Sequence, residues 1–289
     1  MKKIAILGCE NSHANSFIKF IQQKPEFSDI EIFGVYSNDP SASAKLHDEF
    51  GVNVLENYTD AVGAVDGVII TARHGDLHYE YAKPYLDSGI PMFIDKPFTI
   101  KESDALELGK ALKSKGTKLS GGSSARQDKL VRQLKEEALG RVMGDTVGGI
   151  ARAPYQPNSE YGGFYFYSQH LVEMICEVFG RYPISVESRL NGRQLTVLFH
   201  YESYDAVGIF TENSSKYYLA RFAENGDNGG TVNVSSDWFE EEFREFYGLL
   251  CGGENSMSYE DFIAPVFILN AIERSIKSGK SEPVAKFEI

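Results

Sequence analysis

The first part of the chain alternates short apolar runs with stretches whose apolar residues recur at helical spacing. The apolar runs predict buried strands at Lys3–Leu7, Glu31–Tyr36, Asp66–Thr71, Pro91–Ile94 and Lys118–Ser120. The stretches between them predict helices at Ser16–Gln23, Pro40–Phe50, Asp76–Ser88 and Glu102–Ser114. Strand and helix in regular alternation favour a parallel, doubly wound sheet.

The pattern changes near Gly121. Alternating apolar positions then predict strands at Val147–Ala151, Ile184–Leu190, Gln194–Tyr201, Ala206–Glu212 and Tyr217–Ala223. Helices are predicted at Asp128–Ala138, Gln169–Phe179, Trp238–Cys251 and Tyr259–Ser278, and Glu224–Gly230 is predicted to be a loop or hairpin tip. We therefore expect an α/β protein with a Rossmann-type domain over residues 1–121. Residues 122–289 are expected to form an α+β domain with an open, mainly antiparallel sheet.

Composition narrows the class of protein. The 289 residues are 42% hydrophobic and 24% charged, which is typical of a globular chain. The formal net charge of −12 argues against nucleic acid or anionic membranes as general partners. No apolar run approaches the ~18–20 residues that span a bilayer, and the basic, apolar start is interpreted as a strand rather than a signal peptide. Three cysteines without metal-ligand spacing suggest reduced thiols in the cytoplasm and no metal site.

Candidate chemistry lies at the carboxyl ends of the predicted parallel strands, where such sheets bind ligands. The loop after the first strand has only Gly8 of the three glycines that a dinucleotide loop uses. Glu10, Asn11, Ser12 and His13 follow as candidate cofactor contacts, although the Glu10 carboxylate would repel a pyrophosphate. The alternative is that these residues cap a helix and bind no phosphate.

The next two strand ends carry further cofactor candidates. Ser37, followed by Asn38, stands where an acid usually binds the ribose of NAD, which gives a slight preference for NADP. Ala72 and Arg73 end the third strand, and Arg73 is suited to phosphate or to a substrate carboxylate. His78 lies in the first turn of the following helix, where its neutral form is favoured. A surface arginine and a packing histidine are the alternative interpretation.

The fourth strand ends in Asp95, Lys96 and Pro97. A lysine held rigidly at the end of a buried strand, beside a proline, has little reason to be there for packing. Close to a nicotinamide it would hydrogen-bond a hydroxyl or keto oxygen and lower the pKa of that group.

Taken together, these motifs resemble the glucose–fructose oxidoreductase/inositol dehydrogenase (Gfo/Idh/MocA) family over the whole chain. The resemblance is carried by Asp95–Pro97, Lys110–Gly116, Leu119–Arg126, Tyr161–Gly163, Gln169–Glu173 and Ser258–Gly279. It implies oxidation or reduction of a sugar, inositol or related polyol or keto compound with NAD or NADP. It also implies a homodimer or homotetramer formed through the second sheet.

The resemblance also implies residue roles. Lys96 matches the lysine that contacts cofactor and substrate, and His170 matches the catalytic histidine. The chain departs from the family pattern at Phe166, where a paired aspartate is expected, and at Ser168, where a glycine is expected. Arg73-His74-Gly75 likewise replaces a Thr-Pro-Asn stretch.

Substrate contacts are predicted around His170. Three tyrosines, Tyr161, Tyr165 and Tyr167, are able to stack on a ligand or hydrogen-bond to it, and Arg126 is a further candidate. The alternatives are that the aromatic residues belong to the core, that His170 only packs, and that Arg126 lies on the surface.

Two classes of function therefore compete. In an NAD(P)-dependent oxidoreductase, His170 would act as general acid/base and Lys96 would polarise the substrate oxygen. The alternative is a non-catalytic ligand-binding or regulatory protein on an oxidoreductase scaffold, motivated by Glu10 and Phe166. A non-redox reaction such as an elimination in the same cleft is a third possibility. The catalytic hypothesis requires the side chains of Lys96 and His170 to converge on one small molecule.

Overall fold

A computed structural model describes residues 1–233, 235 and 237–289. The first sheet is five-stranded, in the order β2-β1-β3-β4-β5, and all its neighbouring strands are parallel. Its strands are β1 (Lys2–Leu7), β2 (Ile30–Tyr36), β3 (Gly67–Ile70), β4 (Met92–Asp95) and β5 (Leu119–Gly122). This is the doubly wound sheet that the sequence predicts.

The connecting helices are α1 (Ser12–Gln23), α2 (Pro40–Phe50), α3 (Gly75–Ala82) and α4 (Glu102–Lys115). Side chains cap three of them, since Asn11 accepts from the His13 backbone, Asp39 from the Ser41 backbone and His74 from the Asp76 backbone. The predicted helix over 76–88 is instead α3 followed by a 3₁₀ helix over Lys83–Ser88. Pro84 stands at this junction, and its missing N–H interrupts the α-helical hydrogen bonds.

The second sheet has seven strands in the order β11-β10-β6-β9-β8-β7-β12. Its strands are β6 (Thr146–Pro154), β7 (Ser185–Asn191), β8 (Gln194–His200), β9 (Asp205–Thr211), β10 (Tyr217–Ala223), β11 (Gly226–Val232) and β12 (Glu282–Pro283). Only the β6–β9 pair is parallel. The accompanying helices are α5 (Lys129–Leu139), α6 (Tyr165–Phe179), α7 (Asp237–Leu250) and α8 (Tyr259–Ser278). The predicted fold class is confirmed.

Two local predictions are wrong. Only Glu224 and Asn225 turn the chain, and Gly226–Val232 continues as edge strand β11 paired with β10. Glycine, aspartate and asparagine disfavour strands, but the hydrogen-bonded ladder with β10 outweighs that preference. Helix α6 begins at Tyr165 rather than at Gln169, so His170 lies in its second turn. The early start places the aromatic segment on the helix.

The last two helices return to the first sheet. Phe243 and Phe246 of α7 pack with Ile69 and Phe93 on one face of that sheet. Residues Phe262–Phe267 of α8 contribute to the core on its other face, and Ile268–Ile272 contribute to the core of the second sheet. The C-terminal helices thus join the two sheets through shared apolar cores, and the boundary between residues 121 and 122 stays a prediction.

Across the part of the chain described, no helix combines the length and apolar character needed to cross a membrane.

Candidate active site

The carboxyl ends of β1 and β3 are in very close contact. Gly8 has a positive φ of 75°, and a Cβ built on it would lie 2.2 Å from the Ala72 backbone nitrogen. Only glycine fits both conditions. Gly8 is therefore explained by contact between two strand ends, which places the loops after β1 and β3 side by side at one edge of the sheet.

Lys96 lies at this edge as a buried cation. The residue is only 5% exposed, and its ammonium nitrogen lies 3.3 Å from the Phe166 carbonyl oxygen. The same nitrogen lies 4.5 Å from the centre of the Phe166 ring and 5.3 Å from that of Tyr167. Burial lowers the pKa of Lys96, with the Asp95 carboxylate opposing and Arg73 adding to the effect. The ammonium thus gives up its proton more readily than that of an exposed lysine.

His170 is held by a serine in place of the expected aspartate. Its Nδ1 atom lies 2.7 Å from Ser123 Oγ, which also accepts the Ala125 backbone N–H at 3.2 Å. Ser123 is fully buried, and no other acceptor for its hydroxyl is found among the described residues. The hydroxyl therefore donates to Nδ1, which places the ring proton on Nε2. Burial, with Lys96 and His13 adding to it, holds the pKa of His170 well below its ordinary value and keeps the ring neutral.

Lys96 and His170 line the same small cavity, of about 140 Å³. Its remaining lining comes from the loops after β1 and β3, helix α6 and the start of α7. These residues are Asn11, Ser12, His13, Arg73, Ser124, Phe166, Tyr167, Tyr217, Trp238 and Phe239. The structure thus brings together the two groups on which the catalytic hypothesis depends.

Arg73 is the second cation of the cavity. Its guanidinium carbon lies 4.3 Å from the centre of the Tyr161 ring, and Nη1 donates to the Tyr161 hydroxyl at 3.1 Å. Within the described ranges, neither Arg73 nor Lys96 has a carboxylate partner at salt-bridge distance. Two cations that no protein acid neutralises favour an anionic or strongly polar ligand.

One wall of the cavity leads into a buried group of three residues, of which His13 lines the cavity. His13 Nδ1 is 3.3 Å from Asp95 Oδ2, and His13 Nε2 is 3.2 Å from Glu242 Oε2 on α7. Burial alone would lower the pKa of His13, but the two carboxylates outweigh it and raise that pKa. Burial raises the pKa of Glu242 to about 7, although His13 opposes the shift. Asn11 Nδ2 also donates to Asp95 at 2.8 Å, which ties the first loop to the fourth strand end.

Glu10 turns toward the end of β2. Its Oε2 accepts from Ser37 Oγ at 2.6 Å, and its Oε1 accepts from the Arg73 backbone N–H at 3.0 Å. The carboxylate thus bridges three strand ends, and its charge is directed to the β2 tip. Asn38 follows there as an exposed residue and accepts from the Tyr36 hydroxyl at 2.7 Å.

Among the predicted contacts that do not line the cavity, His78, Arg126 and Tyr165 have other partners within the protein. Both ring nitrogens of the fully buried His78 lie 2.7 Å from backbone carbonyls, of Pro97 and Ala72, so this histidine ties two strand ends together. Arg126 pairs with Glu245 instead of facing the cavity. The Tyr165 hydroxyl lies 3.1 Å from acceptors on Asn270 and Glu273 of α8.

Among the residues of the site that sequence reasoning missed are Ser123, Tyr217, Trp238 and Glu242. Ser123 carried a weak signal, since it follows a strand end of the first sheet. The other three come from the second sheet and α7, and no local pattern distinguishes them from core residues.

The residues at this edge fit a nicotinamide dinucleotide. The start of α1, with Asn11 and Ser12, offers donors suited to phosphate, and the buried Lys96 ammonium has N–H groups without a described acceptor. The cavity is smaller than the ~300–1,000 Å³ of a whole-ligand pocket, so it has room for only one end of such a molecule.

Comparison with known proteins defines the class first: residues 2–123 match the profile of a family described as "Oxidoreductase family, NAD-binding Rossmann fold". Over these residues the predicted resemblance to the Gfo/Idh/MocA family is confirmed. The expected class of cofactor, a nicotinamide dinucleotide, agrees with the family's description.

Two curated relatives match different shares of the chain. The chain is 30% identical over 122 residues to the uncharacterized oxidoreductase YhhX of Escherichia coli (strain K12), covering 39% of this chain and 35% of the relative. It is 28% identical over 195 residues to the uncharacterized oxidoreductase YdgJ of the same strain, covering 61% and 56%. The matches thus span about a third to just over half of these relatives' length.

Among solved structures, the chain is similar to scyllo-inositol dehydrogenase from Lactobacillus casei, described with bound NAD(H) and scyllo-inositol. The TM-score is 0.85 at 17% identity, with 99% of this chain and 100% of that chain covered. At this identity the likeness establishes the shared fold across both sheets.

Proposed function

We propose that this protein is a nicotinamide-dependent oxidoreductase that interconverts a hydroxyl and a carbonyl group on a sugar, inositol or related polyol. The carrying observation is that Lys96 and His170, distant in sequence, line one cavity at the carboxyl edge of the first sheet. The family match of residues 2–123 supports the redox class, and the inositol dehydrogenase of similar fold supports the substrate class.

The geometry supports an exchange of the two roles expected from the sequence. Because Ser123 donates to Nδ1 of His170, the neutral ring presents Nε2–H as a hydrogen-bond donor to the substrate oxygen. Lys96 has a lowered pKa and is the better proton carrier. We therefore assign proton transfer to Lys96 and stabilisation of the developing alkoxide to His170. When bound, the nicotinamide supplies or accepts the hydride.

The cations of the cavity also support a polar substrate. The Lys96 ammonium and the Arg73 guanidinium face a space that includes Tyr167 and Tyr217, whose rings flank His170 at 5.5 and 6.1 Å between centres. Aromatic rings beside hydrogen-bonding groups suit the alternating apolar and hydroxylated faces of a cyclic polyol.

The test is direct. Purified protein is titrated with NADH and then assayed for NAD(P)H turnover with a panel of inositols, inososes, aldoses and ketoses. Binding in the micromolar range and turnover with a polyol or its ketone are expected. A protein that binds neither NADH nor NADPH in calorimetry would overturn the proposal.

We also propose that the open face of the second sheet forms a homodimer or homotetramer interface. Leu198, Val207 and Ile209 point away from the core face and are only half-buried in the single chain. Light scattering at micromolar concentration should report at least two subunits, and a monomer would contradict this. The cytoplasmic location stays a prediction.

A further inference from the structure

The Glu10 side chain brings a carboxylate to the tip of β2, where the sequence of that strand end has no acid at the expected position. An acid at the tip of the second strand ordinarily binds the adenosine ribose of NAD, and here that position is Ser37. The structure brings Glu10 Oε2 to 2.6 Å from Ser37 Oγ. A carboxylate from the loop after β1 thus lies beside Ser37, which occupies the position of the usual ribose-binding acid.

The carboxylate is well positioned for this role. Ser37 Oγ accepts the Asp39 backbone N–H at 3.0 Å, so its own hydrogen is free to donate to Glu10. The Arg73 backbone N–H holds the other carboxylate oxygen at 3.0 Å. Each oxygen accepts one described hydrogen bond and keeps a lone pair for a further donor. No cation of the described residues forms a salt bridge with Glu10.

The surroundings are unfavourable for an additional phosphate. Asp39, two residues beyond Ser37, accepts from the Ser41 backbone at 3.0 Å and from the Ser41 hydroxyl at 2.6 Å, so its carboxylate caps α2 rather than serving the β2 tip. The segment Tyr36–Ser41 contains no Lys or Arg. A ribose diol would find an acceptor here, whereas a 2′-phosphate would meet like charge without a compensating cation.

We propose that Glu10 supplies the ribose-binding carboxylate from the first loop and makes the site selective for NAD(H) over NADP(H). This rests on the proposed function and reverses the slight preference for NADP that Ser37 alone indicates. It also explains how an acid is tolerated in a dinucleotide loop, because the side chain is directed to the β2 tip.

The experiment measures binding, so it needs no substrate. NADH and NADPH are titrated by fluorescence against the wild type, Glu10→Gln, Glu10→Asp and the matched control Asp39→Asn, which removes a nearby charge but keeps a good helix cap. The wild type should bind NADH at least ~10-fold more tightly than NADPH, from one unscreened like-charge contact. Glu10→Gln should bring the ratio close to one, and Asp39→Asn should leave it near the wild-type value.

Glu10→Asp keeps the charge but shortens the side chain, so it should weaken NADH binding while NADPH remains disfavoured. Equal wild-type affinities, or a ratio unchanged in Glu10→Gln, would overturn the inference and leave the proposed function intact. Failure of the wild type to bind either dinucleotide would overturn the proposed function itself. Thermal melting of each variant confirms that the compared proteins are folded.

Discussion

Two groups of buried or partly buried cations in this molecule differ in their surroundings. In the loop after α6, Arg181 forms salt bridges with Glu173 at 3.2 Å and with Glu177, both on that helix. Glu177 also forms a salt bridge of 2.6 Å with Lys135 of α5. In the cavity, Lys96 and Arg73 contact aromatic rings, a carbonyl and a hydroxyl, with no described carboxylate at salt-bridge distance.

The difference distinguishes cations that stabilise the fold through salt bridges from cations that are available to a ligand. Burial alone would raise the pKa of Glu177, but Arg181 and Lys135 lower it, so that network is satisfied within the protein. The Asp95 and Glu242 carboxylates offset the burial of Lys96 only in part, so its pKa falls. A buried cation without a carboxylate at salt-bridge distance is costly for folding, and we propose that a ligand supplies the further acceptor.

The largest expected effect is on catalysis. Lys96→Met removes the proton carrier but keeps an apolar chain of similar length, so turnover should fall by ~10²–10⁴-fold. The melting temperature should stay unchanged or rise, because an uncompensated buried charge is lost. Steady-state kinetics and thermal melting check both parts. Lys101→Met, at an exposed lysine, is the matched control, and full turnover in Lys96→Met would contradict the assignment.

The satisfied network should respond in the opposite way. Arg181→Met leaves the buried Glu173 without its cation and Glu177 with Lys135 alone, and the free energy of unfolding should fall by about 3–5 kcal/mol. NADH binding to the folded variant should be unchanged. Denaturant titration measures the loss. Arg132→Met, whose pair with Glu241 is almost half exposed, should cost no more than ~1 kcal/mol.

A smaller effect is expected from Ser123→Ala. The variant leaves Nδ1 of a buried histidine without its donor, which should cost ~1–3 kcal/mol of stability. In ¹⁵N spectra the wild-type His170 should show the Nε2–H tautomer, and the variant should show a mixture. A wild-type signal from the Nδ1–H tautomer would return the role of base to His170.

The smallest expected effect concerns pH. Folding raises the pKa of Glu242 from 4.5 to about 7, so the folded protein binds this proton more tightly than the unfolded chain. Its stabilising contribution is complete below pH 4.5 and is lost as the pH rises through about 7, and the raised pKa of His13 acts in the same direction.

Melting curves from pH 4.5 to 8 test this linkage. Glu242→Gln should flatten the decline by at least ~2–4 °C, the change that each kcal/mol produces in a domain of this size. A wild-type melting temperature that rises over this range would show that the group is ionised in the folded protein throughout.

Sequence by itself determined the elements and much of the site. Apolar periodicity predicted the strands of the first sheet because buried parallel strands need continuous apolar runs, and Lys96 stood out because it follows such a run beside a proline. It missed β11, since the ladder that stabilises this strand lies on β10.

Only the tertiary structure decided which groups meet. Glu242 reaches His13 across 229 positions of the chain, and Ser123 reaches His170 across 47. The direction of Glu10 toward Ser37 is likewise set by contact between strand ends rather than by its neighbours in sequence. Local propensity acts over a few residues, whereas hydrogen bonds and burial act between any groups that folding brings within a few ångströms. The sequence pattern therefore specified the helices and strands, and the packing of α6 and α7 against the first sheet specified which side chains meet at the cavity.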